Sequence, residues 1–334
     1  MGKTFFVITV DTECDRSTSW RASNPLTFRS VLEGIPERLE PLFRAFDAKP
    51  TYLISAEVLE NARCVETLAS LAGDYELGTH LHGAYVEPQE MYENYAGTET
   101  PELTCFYDEA LEAAKIETLT KLFEDRFGFA PTSYRAGRFG AGANTIRVLE
   151  GLGYKVDTSV TPHVCWEDPA GRVDFTDAPE QPYFPDLHDL TRRGNSTVLE
   201  VPVSIVRHPW RSEVVNKVIQ RARMGFVTRL SDRFLGPIWL RPSFCTAEQM
   251  TRLIEDYLER YRKNACVVLN MMFHSMETVP NASPYARMER DCQRLLLRIR
   301  KVLGFCANTG TEFVTLSQLP HRLAEPQMAP RDAG

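Results

Sequence analysis

Phe5-Phe6-Val7-Ile8-Thr9-Val10-Asp11-Thr12-Glu13-Cys14-Asp15 begins as an apolar, β-branched run and ends in acid residues. A run of this kind reads as a buried strand. In extended chain, residues two apart share a side, so the Asp11 and Glu13 carboxylates face one way at the strand's carboxyl end. The pattern recurs in Glu76-Leu77-Gly78-Thr79-His80-Leu81-His82, where imidazoles at i and i+2 can turn neutral nitrogen donors to one metal ion. Charged residues also follow other short apolar runs: Arg135 after Tyr134, Asp157 after Val156, Arg241 after Leu240 and His274 after Phe273. In Arg135-Ala136-Gly137-Arg138-Phe139-Gly140, small residues let guanidinium groups and backbone amides approach a ligand closely. Each position has a plainer reading alone. Asp11 and Glu13 can be a solvated strand end, Arg135 and Asp157 can pair with each other, and Arg241 can cap a helix.

Working outward, short apolar runs alternate with stretches of period near 3.6, the signature of repeated βα units. Strands are expected near Phe5–Val10, Pro50–Ile54, Tyr75–Thr79, Thr132–Tyr134, Tyr154–Val156, Thr197–Pro202, Ile238–Leu240, Val267–Phe273 and Phe313–Leu316. Helices are expected over Pro36–Phe46, Val65–Ala72, Tyr107–Phe127, Ala143–Leu152, Ala247–Arg262 and Glu289–Leu303. Met250, Leu253, Ile254 and Tyr257 share one helix face behind Thr246 and Gln249, which make a capping box. The fold expected is α/β, a distorted parallel (β/α) barrel of seven or eight strands. In such a barrel, residues at the carboxyl ends of different strands converge on one mouth, where chemistry is done. One domain over 1–324 is expected, with inserts at 83–104, 158–196 and 205–237 that read as lids or binding loops, and a flexible tail at 325–334.

The 38 Lys and Arg against 45 Asp and Glu give a net charge of -7, which argues against a surface built to hold nucleic acid. The first apolar run is too short for a signal sequence, and no run approaches a membrane span, so a cytoplasmic protein is expected. Eight cysteines without a CxxC pair read as reduced core thiols.

Taken in order, the motifs Thr9 to Glu13, Gly78 to His82, Arg135 to Gly140, Asp157 to Pro162 and Phe273 to Ser275 resemble those of the polysaccharide deacetylase superfamily, the NodB-homology domain. The resemblance runs over Phe5 to Tyr285. It is nearest to the intracellular branch tied to surface-polysaccharide and lipopolysaccharide biosynthesis. It departs from the usual pattern twice: Thr12 stands where a second adjacent Asp is usual, with the carboxylate recovered at Glu13, and Ala84 stands where the second His is usual, so that ligand falls to His82. The resemblance implies a hydrolase that removes an N-acetyl group, with N-formyl and O-acetyl as lesser options, from an amino sugar. It implies a divalent metal, zinc foremost, held by Glu13, His80 and His82. Asp11 would take a proton from water and His274 would protonate the leaving amine, with Arg135 orienting Asp11 and Asp157 orienting His274. The sequence does not separate Asp11 from Glu13 as base and ligand. A metal-free amidohydrolase on the same barrel and a catalytically silent glycan-binding protein are the alternatives.

Between Arg207 and Arg233 seven basic residues stand against two acidic ones. Trp210, Val214, Val218 and Ala222 recur near helical spacing beside them, as on a membrane-surface helix or a helix packed over the barrel. Arg138, Arg241, Arg221 and Arg223 are the candidate substrate contacts, the last two for the phosphate of a nucleotide-linked or lipid-linked sugar. The lipid-linked version would make the protein membrane-peripheral. No transmembrane segment is expected, and the oligomeric state is open.

Overall fold

The computed structural model describes residues 2–88, 103–207 and 236–324. The expected tail, the middle of the first insert, and the basic segment with Arg221 and Arg223 lie outside the described residues. Strands are β1 (Lys3–Thr12), β2 (Pro50–Ile54), β3 (Glu76–Leu81), β4 (Ser133–Ala136), β5 (Val156–Asp157), β6 (Cys165–Asp168), β7 (Gly171–Asp174), β8 (Leu199–Glu200), β9 (Ile205–Val206), β10 (Ile238–Trp239), β11 (Cys266–His274) and β12 (Glu312–Phe313). One parallel sheet runs β11-β1-β2-β3-β4-β5-β8, with β12 beside the lower part of β1. It curls into a distorted (β/α) barrel.

The two ends of the sheet, β8 and β11, are joined by chain that is not ladder. Ser204 N donates to Asn270 O, Asn270 N donates to Ser204 Oγ, and Leu240 bridges Ser204 O and Met272 N. The Gln181 amide pairs with both backbone groups of Val268. The strand expected at Ile238–Leu240 therefore exists as β10, but it pairs antiparallel with β9 outside the barrel sheet.

Alternation along the strands sorts the core. Phe5 and Val7 cluster with Leu53, Val156, Leu199, Val201 and Val268 inside the barrel. Phe6, Ile8 and Val10 pack instead with the helices outside. Burial of each such side chain contributes about 1.5–3 kcal/mol. A one-residue slip would exchange the two sets, so the register is strongly held. Above the apolar floor lies a polar layer in which Arg135 donates to Thr9 Oγ1 and Thr158, and Asn270 donates to Thr158. The next inward residue of β1 above Thr9 is Asp11.

The helices include α1 (Glu40–Arg44), α2 (Ala56–Leu59), α3 (Ala62–Ala69), α4 (Glu109–Phe127), α5 (Ala143–Gly151), α6 (Ala247–Arg260), α7 (Glu289–Asn308) and α8 (Leu319–Ala324). Thr246 and Gln249 cap α6 reciprocally, as their spacing predicts. The helix expected from Pro36 starts earlier, as a π-helical stretch over Ser30–Leu39 that runs into α1. Its start is held by Asp15, whose carboxylate accepts from Arg29 N and Ser30 N. The insert expected at 158–196 contains the β6–β7 hairpin, whose Trp166 stacks on Phe139 at 5.3 Å. All eight cysteines are free. Among the described residues no helix is long and apolar enough to cross a membrane.

Candidate active site

Strand register brings the inward polar residues together. Asp11 pairs with His274 across β1 and β11, and His80 with Arg135 across β3 and β4. Both carboxylates at the end of β1 have one oxygen held by a buried arginine and the other turned to imidazoles. Asp11 Oδ1 accepts from Arg135 at 2.5 Å, while Oδ2 lies 4.0 Å from His80 Nε2 and 3.8 Å from His274 Nε2. Glu13 Oε2 accepts from Arg16 at 3.1 Å, and Oε1 lies 3.4 Å from both His80 Nε2 and His82 Nε2 and 3.8 Å from His274 Nε2.

Glu13, His80 and His82 each turn one ligand atom into a space where all three lie within 4.8 Å of one another. His80 Nδ1 is 3.1 Å from Arg135 O. A ring N–H makes that contact by donating, which leaves the Nε2 lone pair facing Glu13. The ring of His82 has room because residue 137 is glycine: a Cβ there would lie 2.8 Å from His82 Nδ1 and 2.5 Å from Leu81 O. Two imidazoles and a monodentate carboxylate are a donor set that a catalytic zinc site uses, with positions to spare for water and substrate. The residues present thus fit a divalent ion.

The electrostatics follow from burial with opposed charge. Burial pushes the Asp11 carboxyl up, but Arg135, His80 and His274 more than offset it, and the group sits below its ordinary range. Glu13 is likewise pushed up by burial and then held well below its ordinary range, by His82, His80 and Arg16. Burial opposes charge on His80, yet Asp11 and Glu13 leave its pKa raised; for His82 burial wins and the pKa is lowered.

Asp157 does not face His274. Its place in the alternation is the outward one: Val156 fills the barrel floor, Thr158 reaches Arg135, and Asp157 between them pairs in register with Tyr134 and Glu200. Its Oδ1 accepts from Ser159 at 2.6 Å, while Asp157 Oδ2 and Glu200 Oε2 are buried with no other hydrogen-bonding group. Burial first, and then the neighbouring carboxylate, raises Glu200 well above its ordinary range; burial also raises Asp157. Both shifts run in the direction that favours one proton in the pair over two charges.

A carboxyl protonated when folded but ionised when unfolded takes up a proton on folding. Its contribution is therefore undiminished below about pH 4.3, the unfolded Glu value, and is lost as pH rises toward the raised folded value, by up to about 1.4 kcal/mol per pH unit. Glu200→Gln, whose amide can donate to Asp157, should flatten this slope and raise the melting temperature near pH 7. Glu76 and Glu112, also raised by burial, are common to both proteins and cancel in the difference. Parallel curves of melting temperature against pH for the two proteins would refute the shared proton.

The group that does face His274 is Glu277, three residues on in the 3-10 turn Ser275–Thr278. Its Oε1 lies 3.1 Å from His274 Nδ1, and Arg241 approaches both at 3.1 Å. Arg241, expected to contact substrate, is buried here beneath Phe244 with its ring centroid at 4.0 Å. Arg138 is exposed beside the site at a left-handed φ of 52°. Sequence reasoning missed both Glu277 and Arg16. Each stands three residues after a site residue, His274 and Glu13, and that offset was the available signal.

Compared by sequence, the chain matches no family model and no curated protein. Its fold does match solved structures. A Mycobacterium smegmatis protein described as a polysaccharide deacetylase superposes with a TM-score of 0.54 at 16% identity, over 100% of this chain and 94% of that one. A Pseudomonas aeruginosa PAO1 protein described likewise gives 0.51 at 13% identity over 98% and 93%. Puue allantoinase gives 0.54 at 13% identity over 98% and 93%. The chain shares its fold with these three proteins.

Proposed function

We propose that this protein is a metal-dependent hydrolase that removes an acyl group, N-acetyl first, from an amino sugar used in building a surface polysaccharide. The observation that carries the reading is the convergence of the Glu13, His80 and His82 donors with Asp11 Oδ2 and His274 Nε2 at one barrel mouth. A binding module needs no such set of donor, acceptor and proton carrier.

Glu13, His80 and His82 would hold the ion. When bound it supplies Lewis-acid polarisation of the acyl carbonyl and lowers the pKa of water, with zinc the best match to these donors. Asp11 Oδ2 accepts a proton from the attacking water, since Arg135 occupies Oδ1 and keeps the carboxylate ionised and aimed. The water oxygen bonds to the acyl carbon and the carbon–nitrogen bond breaks. His274 gives its Nε2 proton to the departing amine, and acetate and the free amino sugar result. Glu277 accepts from the Nδ1–H and so holds the ring with Nε2 toward the site. Arg135, Glu277 and Arg241 are positioning residues. We assign the ligand role to Glu13 and the base role to Asp11 because the Glu13 oxygen not held by Arg16 lies 3.4 Å from both His80 Nε2 and His82 Nε2, nearer than Asp11 Oδ2 lies to His80.

The test is elemental analysis of protein purified without chelator, alongside acetate release from free, nucleotide-linked, lipid-linked and oligomeric N-acetyl amino sugars. About one divalent ion per chain and acetate from one of these classes are expected. Metal-free protein that cleaves a cyclic amide or ureide would replace this reading with the metal-free amidohydrolase, to which the likeness in fold to allantoinase also leads.

A further inference from the structure

A cleft of about 170 Å³ opens where α1 turns into β2 and α3 turns into β3. These turns lead into the amino ends of the strands, so the cleft lies at the end of the barrel opposite Asp11 and Glu13. A cavity of about 150 Å³ holds a molecule of benzene's size, so this one has room for about six non-hydrogen atoms. Lys49 and Asp74 pair at 3.1 Å and tie the two turns together. Ala48 N donates to Phe43 O and Asp47 N to Arg44 O, which fixes the first of them.

Phe43 and Leu71 give the cleft an apolar side. Tyr52 and Tyr75 meet edge to face, with ring centroids 6.3 Å apart and planes at 63°, so they offer a flat ligand no common plane. Tyr52 is 1% exposed, yet its hydroxyl has no hydrogen-bonding partner among the described residues and opens on the cleft. A hydroxyl so placed gains from any ligand that supplies a partner. The Glu40 carboxylate acts on both tyrosines: burial raises the pKa of each, and Glu40 raises it further. The charges that line the cleft are mostly acidic, Glu40, Asp47 and Asp74 against Arg44. Arg44 approaches Glu40 only to 3.6 Å with its side chain 63% exposed. A pair of that kind contributes little, so it is readily exchanged for a better one.

We propose that this cleft binds a small organic ammonium ion, with Glu40 as the opposing charge, the Tyr52 hydroxyl oxygen accepting one N–H, and the alkyl part against Phe43 and Leu71. An ammonium head has three donors and no acceptor. One carboxylate, one hydroxyl oxygen and the open mouth of the cleft match it. A cation also gains from aromatic walls. An anion would meet three carboxylates, and a divalent metal ion takes about six oxygen ligands, more than Glu40 and Tyr52 supply. The proposal stands apart from the deacylase reading, because none of these residues belongs to the catalytic mouth.

The experiment uses butylammonium as the probe, with 1-butanol and butyrate as its neutral and anionic counterparts. Binding is measured by calorimetry on the full chain at low ionic strength. Butylammonium should bind about ten-fold more tightly than either counterpart. Glu40→Gln should weaken it about ten-fold, the loss of a charge-assisted hydrogen bond, and Tyr52→Phe about three-fold, since only the hydroxyl is removed. Both substitutions keep the volume of the side chain, and melting curves and metal content should stay near those of the parent. No binding of butylammonium, affinity no greater than for 1-butanol, or affinity unchanged by either substitution overturns the proposal. In the last case the amine sits at other carboxylates of this acidic chain. Metal-free or inactive protein that still binds butylammonium through Glu40 and Tyr52 leaves the cleft standing and sinks only the deacylase reading.

Discussion

Asp11→Asn should lower kcat by about 10²–10⁴-fold, the span of a lost general base, while metal content stays near that of the parent. The amide keeps the shape of the carboxylate, and Arg135 decides how it lies. Arg135 donates to Oδ1 at 2.5 Å, so the amide oxygen goes there and the NH2 takes the place of Oδ2. The group then presents a donor where the mechanism needs an acceptor. Fold and metal should survive, because the three clustered donors are Glu13, His80 and His82. The substitution removes the charge opposite a fully buried arginine, so a melting curve belongs beside the kinetics. Arg135 keeps Thr9 and Thr158 as acceptors. Loss of metal in place of turnover would make Asp11 the ligand and return Glu13 to the role of base.

The placement of this site was legible in the sequence because one physical rule carries most of it. Alternation along a strand decides which side chains enter a barrel. Counting by twos from Phe5 leads through Val7 and Thr9 to Asp11 and Glu13, and the same count on the third strand leads to His80 and His82. The rule fails where the phase of a strand is set by something out of sight. Asp157 follows an apolar run, as the mouth residues do, but β5 is two residues long, and its phase is set by Val156 in the floor of the barrel. Glu277 and Arg16 lie past the strands, where no period applies and the direction of a side chain depends on a turn. Closure of the barrel was hidden for a related reason. It runs through single residues, Ser204, Leu240 and Gln181, whose backbone and amide groups fill a gap that no strand among the described residues spans.

His80→Ala and Glu13→Gln should each weaken metal binding by more than the roughly 10–100-fold that follows loss of an outer partner of a ligand, since each removes one of three protein donors outright. Competition against a chromophoric chelator reads this without recourse to activity. The two variants differ in what they leave behind. His80→Ala opens space beside Glu13 and deprives the Arg135 carbonyl of its 3.1 Å partner, but it leaves both carboxylate–arginine pairs intact. Glu13→Gln keeps the volume and retains an oxygen, but it leaves Arg16, 3% exposed, without the opposing charge at 3.1 Å. With the Glu13 charge gone, the buried Arg16 cation keeps Tyr85 and the neighbouring Glu57 but loses its nearest carboxylate, so it repels a divalent ion more strongly and costs the fold more. Glu13→Gln should therefore show the larger loss of metal at low ionic strength and the lower melting temperature of the two. Replacing Arg16 with Met in the Glu13→Gln protein should recover part of both, because it removes the positive charge that Glu13 no longer balances. Full metal occupancy in His80→Ala would break the proposed ligand set. Recovery of metal affinity without recovery of stability in the double variant would show that Arg16 acts on the ion directly and not through Glu13.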